Sequence, residues 1–396
     1  MWTNFLPYHV ARIRHLRIRL QALGWPLTAI EVASRDALYP FPEDTSKSEN
    51  DYICLFSGDS YRELSPYTIH SRALKALERI QPDVVIAPST PFPSGMASVK
   101  YCLDHDKLCV MMDDAWEYSD KRGFIVRAMK KIIHQNIDAA FIPALSHASY
   151  YLSMGFPPDR IFYGVDVVDN DFYSAGAETA RGQADVLRDA LNLPSKYFIF
   201  VGRFIARKGI ALLLEAYRRY AQTAQHDAWG LVLVGEGDER HQHEEAMHEY
   251  PEVKFVGSQF GEQLCRYYGL ASAFILPSAV ETWGLVANEA MASQLPVIIS
   301  KGCGAGRALV EEGKNGRTFD VGDSKALSQY MLELTRLPAD RLYEMGVRSK
   351  DIIAKFSLDT FADSVIAAAS VPRREPGSLQ AKLLTRFWNG RISFYP

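Results

Sequence analysis

Two cations follow a short apolar segment in the second half of the chain. The segment YFIFVG has the composition of a buried strand, and Arg203 and Lys208 lie in the loop between it and an amphipathic stretch that begins near Ile210. Parallel α/β sheets place their ligands at the carboxyl ends of the strands, so this loop is expected to bind an anion such as a diphosphate. Solvated loop charges are the alternative interpretation.

Two carboxylates lie in a second region of the same kind. The apolar segment SAFILP leads into a loop that carries Glu281, and Glu289 follows in a predicted helix that begins near Gly284. The backbone N–H groups of Gly284, Leu285 and Val286 would point from the helix N-terminus toward an anion. The alternative is a structural one, in which the two acids only complement the helix dipole.

These segments together resemble a known family. The segments VGRFIARKG, VLVGEGDE, VKFVG, LPSAVETWGLVANEAMA and GKNGRTFDVGD follow one another over roughly residues 195 to 340. In order and spacing they resemble the C-terminal domain of family 4 glycosyltransferases, including the E-x7-E signature. The first half matches weakly, through GVDVVDNDF. The resemblance implies an α/β chain with the GT-B fold, in which two Rossmann-like parallel-sheet domains face each other across a cleft.

The same resemblance implies an activity and a set of roles. A hexose-type sugar would move, with retention, from a nucleotide-diphosphate donor to a saccharide or lipid-linked acceptor. Arg203 and Lys208 would hold the diphosphate as catalytic cations, Glu281 would orient the donor sugar, and Glu289 would accept hydrogen bonds from the ribose. The other donor-binding positions would be Gly202, Gly235, Glu236, Val256, Gly284, Leu285 and Val286. Fixed cations can neutralise the leaving diphosphate, so neither a metal nor another cofactor is expected, and the donor is a co-substrate.

The first half departs from the family pattern. The residues MWTN lead directly into FLPYH, without a full strand or a glycine-rich phosphate loop, so either the first strand is shortened or the sequence starts late. Asp113 and Asp114 follow the predicted strand LCVMM, where the family often has a histidine. These two acids and His9 are the candidates for the acceptor or sugar side, with a strand-end acid and a surface histidine as the alternatives. Trp283 stands where the family usually has phenylalanine, a change expected to reshape the donor pocket slightly.

Apolar strands alternate with helix-period segments along the whole chain, which is typical of parallel sheets covered by helices. Ser357 is expected to cap a late helix, with Phe356 and Phe361 packing together as a hydrophobic staple. The predicted divisions are an N-terminal acceptor-side domain at 1–173, a linker at 174–195, a C-terminal nucleotide-sugar-binding domain at 196–355, and a C-terminal helix and tail at 356–396 that cross back to the N-terminal domain.

Composition excludes some partners. The 44 lysines and arginines against 47 acids give a net charge of −3, so nucleic-acid binding is not expected. Five scattered cysteines indicate reduced thiols and a cytoplasmic protein, in solution or at the inner face of a membrane. Two basic helices could contact anionic lipid, or could simply be solvated faces. Their cations are Arg12, Arg14, Arg17 and Arg19 in the first, and Lys121, Arg122, Arg127, Lys130 and Lys131 in the second.

Other motifs and other functions are weighed against this interpretation. Asp104-His105-Asp106 resembles a metal-binding D-x-D but precedes its strand, so it is predicted to be a turn. A dinucleotide fingerprint fails because Arg240 stands where the third glycine would be. A sugar-nucleotide epimerase of the same architecture and a degenerate nucleotide-binding scaffold remain as alternatives. Synthesis of a cell-envelope or extracellular polysaccharide is the expected setting, by analogy alone.

Overall fold

A computed structural model describes residues 1–35, 52–120 and 123–390 of the chain. The chain forms two compact units. Unit 1 consists of Met1–Val167 together with the residues from Leu358 onward, and unit 2 consists of Val168–Ser357. The chain therefore leaves unit 1 a few residues before the predicted boundary at 173.

Unit 1 is built around two parallel sheets. Strands β1 and β2 pair with each other, and β3, β4, β5 and β6 form a second sheet in chain order. The strands are β1 Ala29–Arg35, β2 Tyr52–Ser60, β3 Val84–Pro88, β4 Leu108–Met112, β5 Ala139–Ile142 and β6 Ile161–Tyr163. The helices are α1 Pro7–Ala22, α2 Pro66–Ile80, α3 Pro93–Asp104, α4 Phe124–Ile133, α5 Ala148–Ser153, α15 Leu358–Ala369 and α16 Leu379–Phe387.

An extended segment precedes α1. Trp2 forms a parallel bridge with Glu31 of β1, and the N–H of Val32 donates to the carbonyl of Trp2 at 3.0 Å. The ammonium of Met1 donates to the carbonyl of Ile86 in β3 at 2.7 Å. Strand-type pairing therefore extends over the first residues only, and Asn4 already turns the chain toward α1, with its amide donating to the carbonyl of Ala33.

The late helix α15 belongs to the core of unit 1. Phe361 is buried, and its ring lies 5.3 Å from that of Phe141 in β5. Phe356 belongs to unit 2 and packs against Trp283, at 5.8 Å between ring centroids. The chain passes from unit 2 to unit 1 between the two phenylalanines, and their packing as a staple stays a prediction.

Unit 2 carries one six-stranded parallel sheet in the order β12-β11-β10-β7-β8-β9. Its strands are β7 Tyr197–Val201, β8 Gly230–Val234, β9 Val253–Phe255, β10 Ala273–Leu276, β11 Val297–Ser300 and β12 Gly316–Phe319. Its helices are α6 Asn170–Gly182, α7 Ala184–Leu191, α8 Ile210–Ala224, α9 Arg240–Ala246, α10 Gly261–Leu270, α11 Leu285–Ala292, α12 Gly304–Leu309, α13 Ser324–Thr335 and α14 Ala339–Ile353.

The strand order of this sheet places a topological switch point beside β7. The chain proceeds from β7 to β8 and β9 on one side, and then returns to β10 on the other side. The direction in which the sheet is extended therefore changes between β7 and β10. The carboxyl ends of the strands at such a switch point are where open α/β sheets bind ligands.

The segment 174–195, predicted to be a linker, is mostly helical. It lies in α6 and α7, and α6 packs closely on α10. A side chain at Gly176 would meet Cys265 at 2.7 Å, and one at Gly269 would meet the carbonyl of Ala177 at 2.6 Å. The small residues that suggested a linker are therefore the contact surface between two closely packed helices.

Candidate functional site

Three loops at the carboxyl edge of the unit 2 sheet are joined by backbone hydrogen bonds. The N–H of Phe204, after β7, donates to the carbonyl of Glu236, after β8, at 2.8 Å. The N–H of Ala279, after β10, donates to the carbonyl of Arg207 at 2.8 Å. The predicted cation loop is thus fixed on both sides, which holds its side chains in place at the switch point.

Glycine is required where two of these loops meet. A Cβ at Gly235, whose φ is +144°, would lie 1.9 Å from the carbonyl oxygen of Gly202. The N–H of Gly235 also donates to the carbonyl of Gly257 at 2.8 Å. The predicted donor-binding positions Gly202 and Gly235 are therefore neighbours, and their backbones are in direct contact.

The central feature of this edge is an ion pair between two of the predicted catalytic residues. The Nζ atom of Lys208 lies 2.7 Å from Oε2 of Glu281, and both side chains are largely buried. Burial by itself would raise the pKa of Glu281, but the charge and hydrogen bond of Lys208, with the nearby charge of Arg207, hold that pKa below its usual value. Glu281 is therefore a carboxylate, and its charge holds the ammonium group in place.

The remaining predicted residues lie in the loops after β7, β8 and β9. Arg203 is half-buried in the loop after β7, and Val256 follows β9 with its N–H donating to the carbonyl of Leu233. The side chain of Glu236 is exposed and pairs with Arg240 in the next helix. The carboxylate of Glu236 therefore forms an ion pair at the surface, while its backbone carbonyl accepts the hydrogen bond that joins two loops.

The entry of α11 brings backbone N–H groups to the same edge. Gly284 takes a φ of +107°, and α11 begins at Leu285. Glu281 precedes this turn and is held in place by backbone bonds to Gly302 and Gly304. The first turn of a helix presents unpaired N–H groups and the positive end of its dipole, so this entry is suited to an anion.

Trp283 does not line an open pocket. The indole is buried, with 2% of its surface exposed, and its Nε1–H donates to Oδ1 of Asn288 at 2.9 Å. Its ring packs against Phe356. The ring is thus part of the interior next to α11, and the expectation that it reshapes the donor pocket slightly stays a prediction.

Glu289 is buried and held by two tyrosines. The hydroxyl of Tyr268 in α10 donates to Oε2 of Glu289 at 2.9 Å, and the hydroxyl of Tyr173 in α6 also bonds to this carboxyl group. Burial raises the pKa of Glu289 to about 7, against the opposing effect of these two hydrogen bonds. Sequence reasoning identified Glu289 but missed both tyrosines, because nothing in the spacing of three separate helices indicates that they meet.

The acidic candidates of unit 1 also lie in a charged cluster. Burial raises the pKa of Asp166 to about 6; the charge of Arg12 opposes this shift, and the charge of Asp113 adds to it. Arg12 is buried, interacts with Asp114, and donates to the carbonyl of Val167 at 2.9 and 2.6 Å. The structure thus brings Asp113 and Asp114 together with Arg12 and Asp166, a grouping that the sequence did not reveal.

His9, the third acceptor-side candidate, has a structural contact. Its Nδ1 accepts a hydrogen bond from the N–H of Leu6 at 3.1 Å, which caps the start of α1. The ring also lies 4.9 Å from that of Trp2. Both contacts fix the entry of α1 and account for a histidine at this position.

The two basic helices are less free than the sequence indicated. In α1, Arg12 is buried, and Arg19 pairs with Asp359 of α15 at 2.8 Å. In α4, Lys130 is buried and donates to the hydroxyl of Tyr150 at 2.9 Å. Arg12 and Lys130 therefore contribute to the interior of unit 1, whereas Arg19 joins α1 to α15 through an ion pair at the surface. Lys121 and Arg122 lie outside the described residues.

The D-x-D segment forms the turn between α3 and β4. Asp104 ends α3, and Asp106 takes a positive φ of 56° before the chain enters β4. Arg386 pairs with Asp104 at 3.1 Å, and Arg373 pairs with Asp106.

Within the described ranges, no group of three or more potential metal ligands is found. In the same ranges, the helices include none with the length and apolarity to cross a bilayer.

Comparison with solved structures identifies the architecture. Sucrose-phosphate synthase from Thermosynechococcus elongatus superposes with a TM-score of 0.66 at 22% identity, covering 90% of this chain and 91% of that one. Anabaena HepE, solved with UDP and glucose, superposes with a TM-score of 0.68 at 14% identity, covering 94% and 99%. The chain has the GT-B fold. The predicted fold class is thereby confirmed.

Sequence comparison finds a family match in the second half of the chain. Residues 185–348 match the family described as Glycosyl transferases group 1, the region that holds β7, β10, α11 and the Lys208–Glu281 pair. That match ends in α14, and it lies entirely within unit 2.

Individual relatives resemble only part of the chain. An uncharacterized glycosyltransferase of Methanocaldococcus jannaschii is 30% identical over 43% of this chain and 44% of its own length. A GDP-mannose-dependent alpha-mannosyltransferase of Mycobacterium tuberculosis is 28% identical over 64% of each. Alpha-monoglucosyldiacylglycerol synthase of Acholeplasma laidlawii is 26% identical over 50% and 47%. The match spans less than two thirds of the length of each of these relatives.

Proposed function

We propose that this GT-B chain is a retaining, family 4 type glycosyltransferase. It moves a hexose-type sugar from a nucleoside diphosphate donor to a saccharide or lipid-linked acceptor in the synthesis of a surface polysaccharide or glycolipid. The observation that carries the proposal is the buried Lys208–Glu281 pair at the switch point of a sheet that matches the group 1 family. Such a pair supplies a fixed cation where the fold binds its ligand.

The cations of the β7 loop would receive the leaving diphosphate. Cleavage of the glycosidic bond leaves negative charge on the phosphate oxygens, and a positioned ammonium stabilises that charge without reorganising. Lys208 is held by Glu281 at 2.7 Å, and its loop is bonded to its neighbours on both sides. Arg203 in the same loop would supply the second positive group, and the first N–H groups of α11, at Gly284, Leu285 and Val286, would bind a phosphate oxygen.

The two carboxylates would then act on the two ends of the donor. Glu281 lies beside the cations and is ionised, so it can accept hydrogen bonds from sugar hydroxyls while it keeps Lys208 in place. Glu289 would accept hydrogen bonds from ribose hydroxyls. Gly202, Gly235, Glu236 and Val256 lie in the loops after β7, β8 and β9, and they would contact the nucleotide mainly through their backbones.

The acceptor is proposed to bind on unit 1. Asp113 and Asp114 are suited to the hydroxyls of a saccharide, because carboxylates accept hydrogen bonds from such groups. A lipid-linked acceptor is included because one relative is named as a diacylglycerol glycosyl synthase. Such an acceptor would bring the protein to the inner face of a membrane from the cytoplasm.

Substitution of each cation tests the proposal. A thermal-shift screen of nucleotide sugars first identifies the donor, since a ligand of the folded state raises its melting temperature. Release of nucleoside diphosphate from that donor is then measured for Arg203→Ala and Lys208→Ala. Each should lower turnover by at least ~100-fold, the usual effect of losing one preorganised charge-stabilising group.

Two controls make the result interpretable. Lys301→Ala removes a cation that pairs with Asp320 on the exposed surface of the same unit, and it should leave turnover unchanged. Lys208→Ala leaves Glu281 buried without its ammonium partner, so this variant can lose turnover through misfolding alone. Arg203→Ala keeps the Lys208–Glu281 pair and therefore tests the cations without this effect. Near-normal turnover in both variants would reject the proposed role of the cations. Donor conversion that needs no acceptor and releases little nucleoside diphosphate would indicate an epimerase.

A further inference from the structure

The outer side of α16 is apolar, whereas its inner side is small and polar. Leu379, Leu383 and Phe387 follow one another at four-residue intervals and are 73%, 45% and 80% exposed. Ala381 and Thr385 are buried on the other side, and the Thr385 hydroxyl accepts a hydrogen bond from the amide of Asn136 at 3.0 Å. A helix that only packs on a core has the opposite arrangement.

The neighbouring helix α4 adds large apolar side chains. Helix α16 packs against α4, and the first turn of α4 exposes Phe124 by 86%, Ile125 by 73% and Val126 by 39%. Single exposed apolar residues are common, but six large ones on two helices that pack together exceed such scattered exposure and indicate a surface that is covered in use. We call these six side chains of α4 and α16 the α4/α16 surface.

The same two helices carry positive charge only. Their sequences, FIVRAMKKII and LQAKLLTRF, contain no acidic residue, although the whole chain has a net charge of −3. Arg127, Lys131 and Lys382 have no carboxylate partner among the described residues, and Arg386 pairs with Asp104 at its margin. Large apolar side chains with flanking cations and no acids are the composition of helices that bind at the surface of anionic bilayers.

We propose that the α4/α16 surface docks this protein on an anionic membrane, with Leu379, Leu383, Phe387 and the first turn of α4 entering the interface. This inference deepens the proposed function, since it names the surface that would bring the enzyme to a lipid-linked acceptor. A second copy of the chain is the weaker candidate for the same surface, because a symmetric dimer would bring its cations face to face. Anionic headgroups satisfy these cations.

Vesicle cosedimentation of the full chain tests the inference. The vesicles contain phosphatidylcholine alone, or phosphatidylcholine with about one third phosphatidylglycerol. Wild type should bind the anionic vesicles at least about tenfold more tightly than the neutral ones, and added salt should weaken this binding. The pairs Leu383→Ser/Phe387→Ser and Phe124→Ser/Ile125→Ser should each reduce binding to anionic vesicles by at least about tenfold.

A matched pair in unit 2 provides the control. Val186→Ser/Tyr343→Ser removes side chains that are 73% and 66% exposed, and it should leave vesicle binding unchanged. The melting-temperature shift caused by UDP or GDP is measured on every variant, because it reports on the donor site alone. Absence of wild-type binding, or equal binding by wild type and both surface variants, overturns the inference. So does a dimer in light scattering that the same substitutions dissociate. None of these outcomes alters the test of Arg203 and Lys208.

Discussion

The buried carboxyl group of Glu289 should make the stability of unit 2 depend on pH. Its pKa is about 7 in the folded chain, against 4.5 as the ordinary value. The folded state therefore holds the proton more tightly than the unfolded state, so the free energy of unfolding falls as pH rises between about 4.5 and 7. Between about pH 5 and 8 the loss amounts to roughly 2.5 kcal/mol, at about 1.4 kcal/mol per pKa unit.

The variant Glu289→Gln should lack this loss, because an amide keeps a hydrogen-bond acceptor for Tyr268 and carries no charge. Its melting temperature relative to wild type should therefore rise between about pH 5 and 8. For a unit of this size, roughly 2.5 kcal/mol corresponds to about 5 to 10 °C. Differential scanning calorimetry across this range measures the change, and the relative shift removes any constant effect of the substitution.

A surface acid supplies the comparison. Glu262→Gln, at an exposed position on α10, removes the same charge and should keep the wild-type pH dependence. If the melting-temperature difference between Glu289→Gln and wild type is constant from pH 5 to 8, the reasoning about burial is refuted. If the melting temperature of Glu262→Gln relative to wild type rises as much as that of Glu289→Gln, the rise comes from the change in net charge. That result would also count against the burial of Glu289 as its cause.

Two further substitutions test the geometry around the site. Tyr268→Phe removes one hydrogen-bond donor to the Glu289 carboxylate, which should raise the pKa of Glu289 by about one unit. The fall in melting temperature should then occur at a higher pH than in wild type, and a fall over the same pH range would contradict this. Gly235→Ala should lower the melting temperature, because its Cβ would lie 1.9 Å from the Gly202 carbonyl oxygen. The positive φ adds a backbone strain of roughly 1 to 3 kcal/mol. Gly182→Ala, whose Cβ meets no atom within 4 Å, should leave the melting temperature unchanged, and equal melting temperatures of the two variants would contradict the close approach of the two loops.

The central strands of unit 2 could be predicted because they are buried on both faces. A strand such as Tyr197–Val201 is apolar at every position and is followed by a loop, which is the pattern of a central parallel strand. The positions of Lys208 and Glu281 followed from the loops after two such strands. Their direct pairing did not, because the sequence does not give the strand order that makes β7 and β10 neighbours.

Other features depend on contacts between distant parts of the chain. The arginines of α1 looked like a solvated basic face, but Arg19 pairs with Asp359, which lies 340 residues further along. The small residues of α6 looked like a linker, but Gly176 and Ala177 allow close packing against α10. Local composition describes the residue itself, and in each case its tertiary partner decides its role.

The return of the chain to unit 1 has a consequence for biosynthesis. Phe361 fills the space beside Phe141 and stacks on Trp2, yet it leaves the ribosome after every residue of unit 2. Unit 2 is contiguous in sequence and can complete its sheet first. Unit 1 cannot complete its core until Phe361 has been synthesised, so its apolar residues stay exposed during translation. Unit 1 is therefore the part of the protein that would need chaperones most.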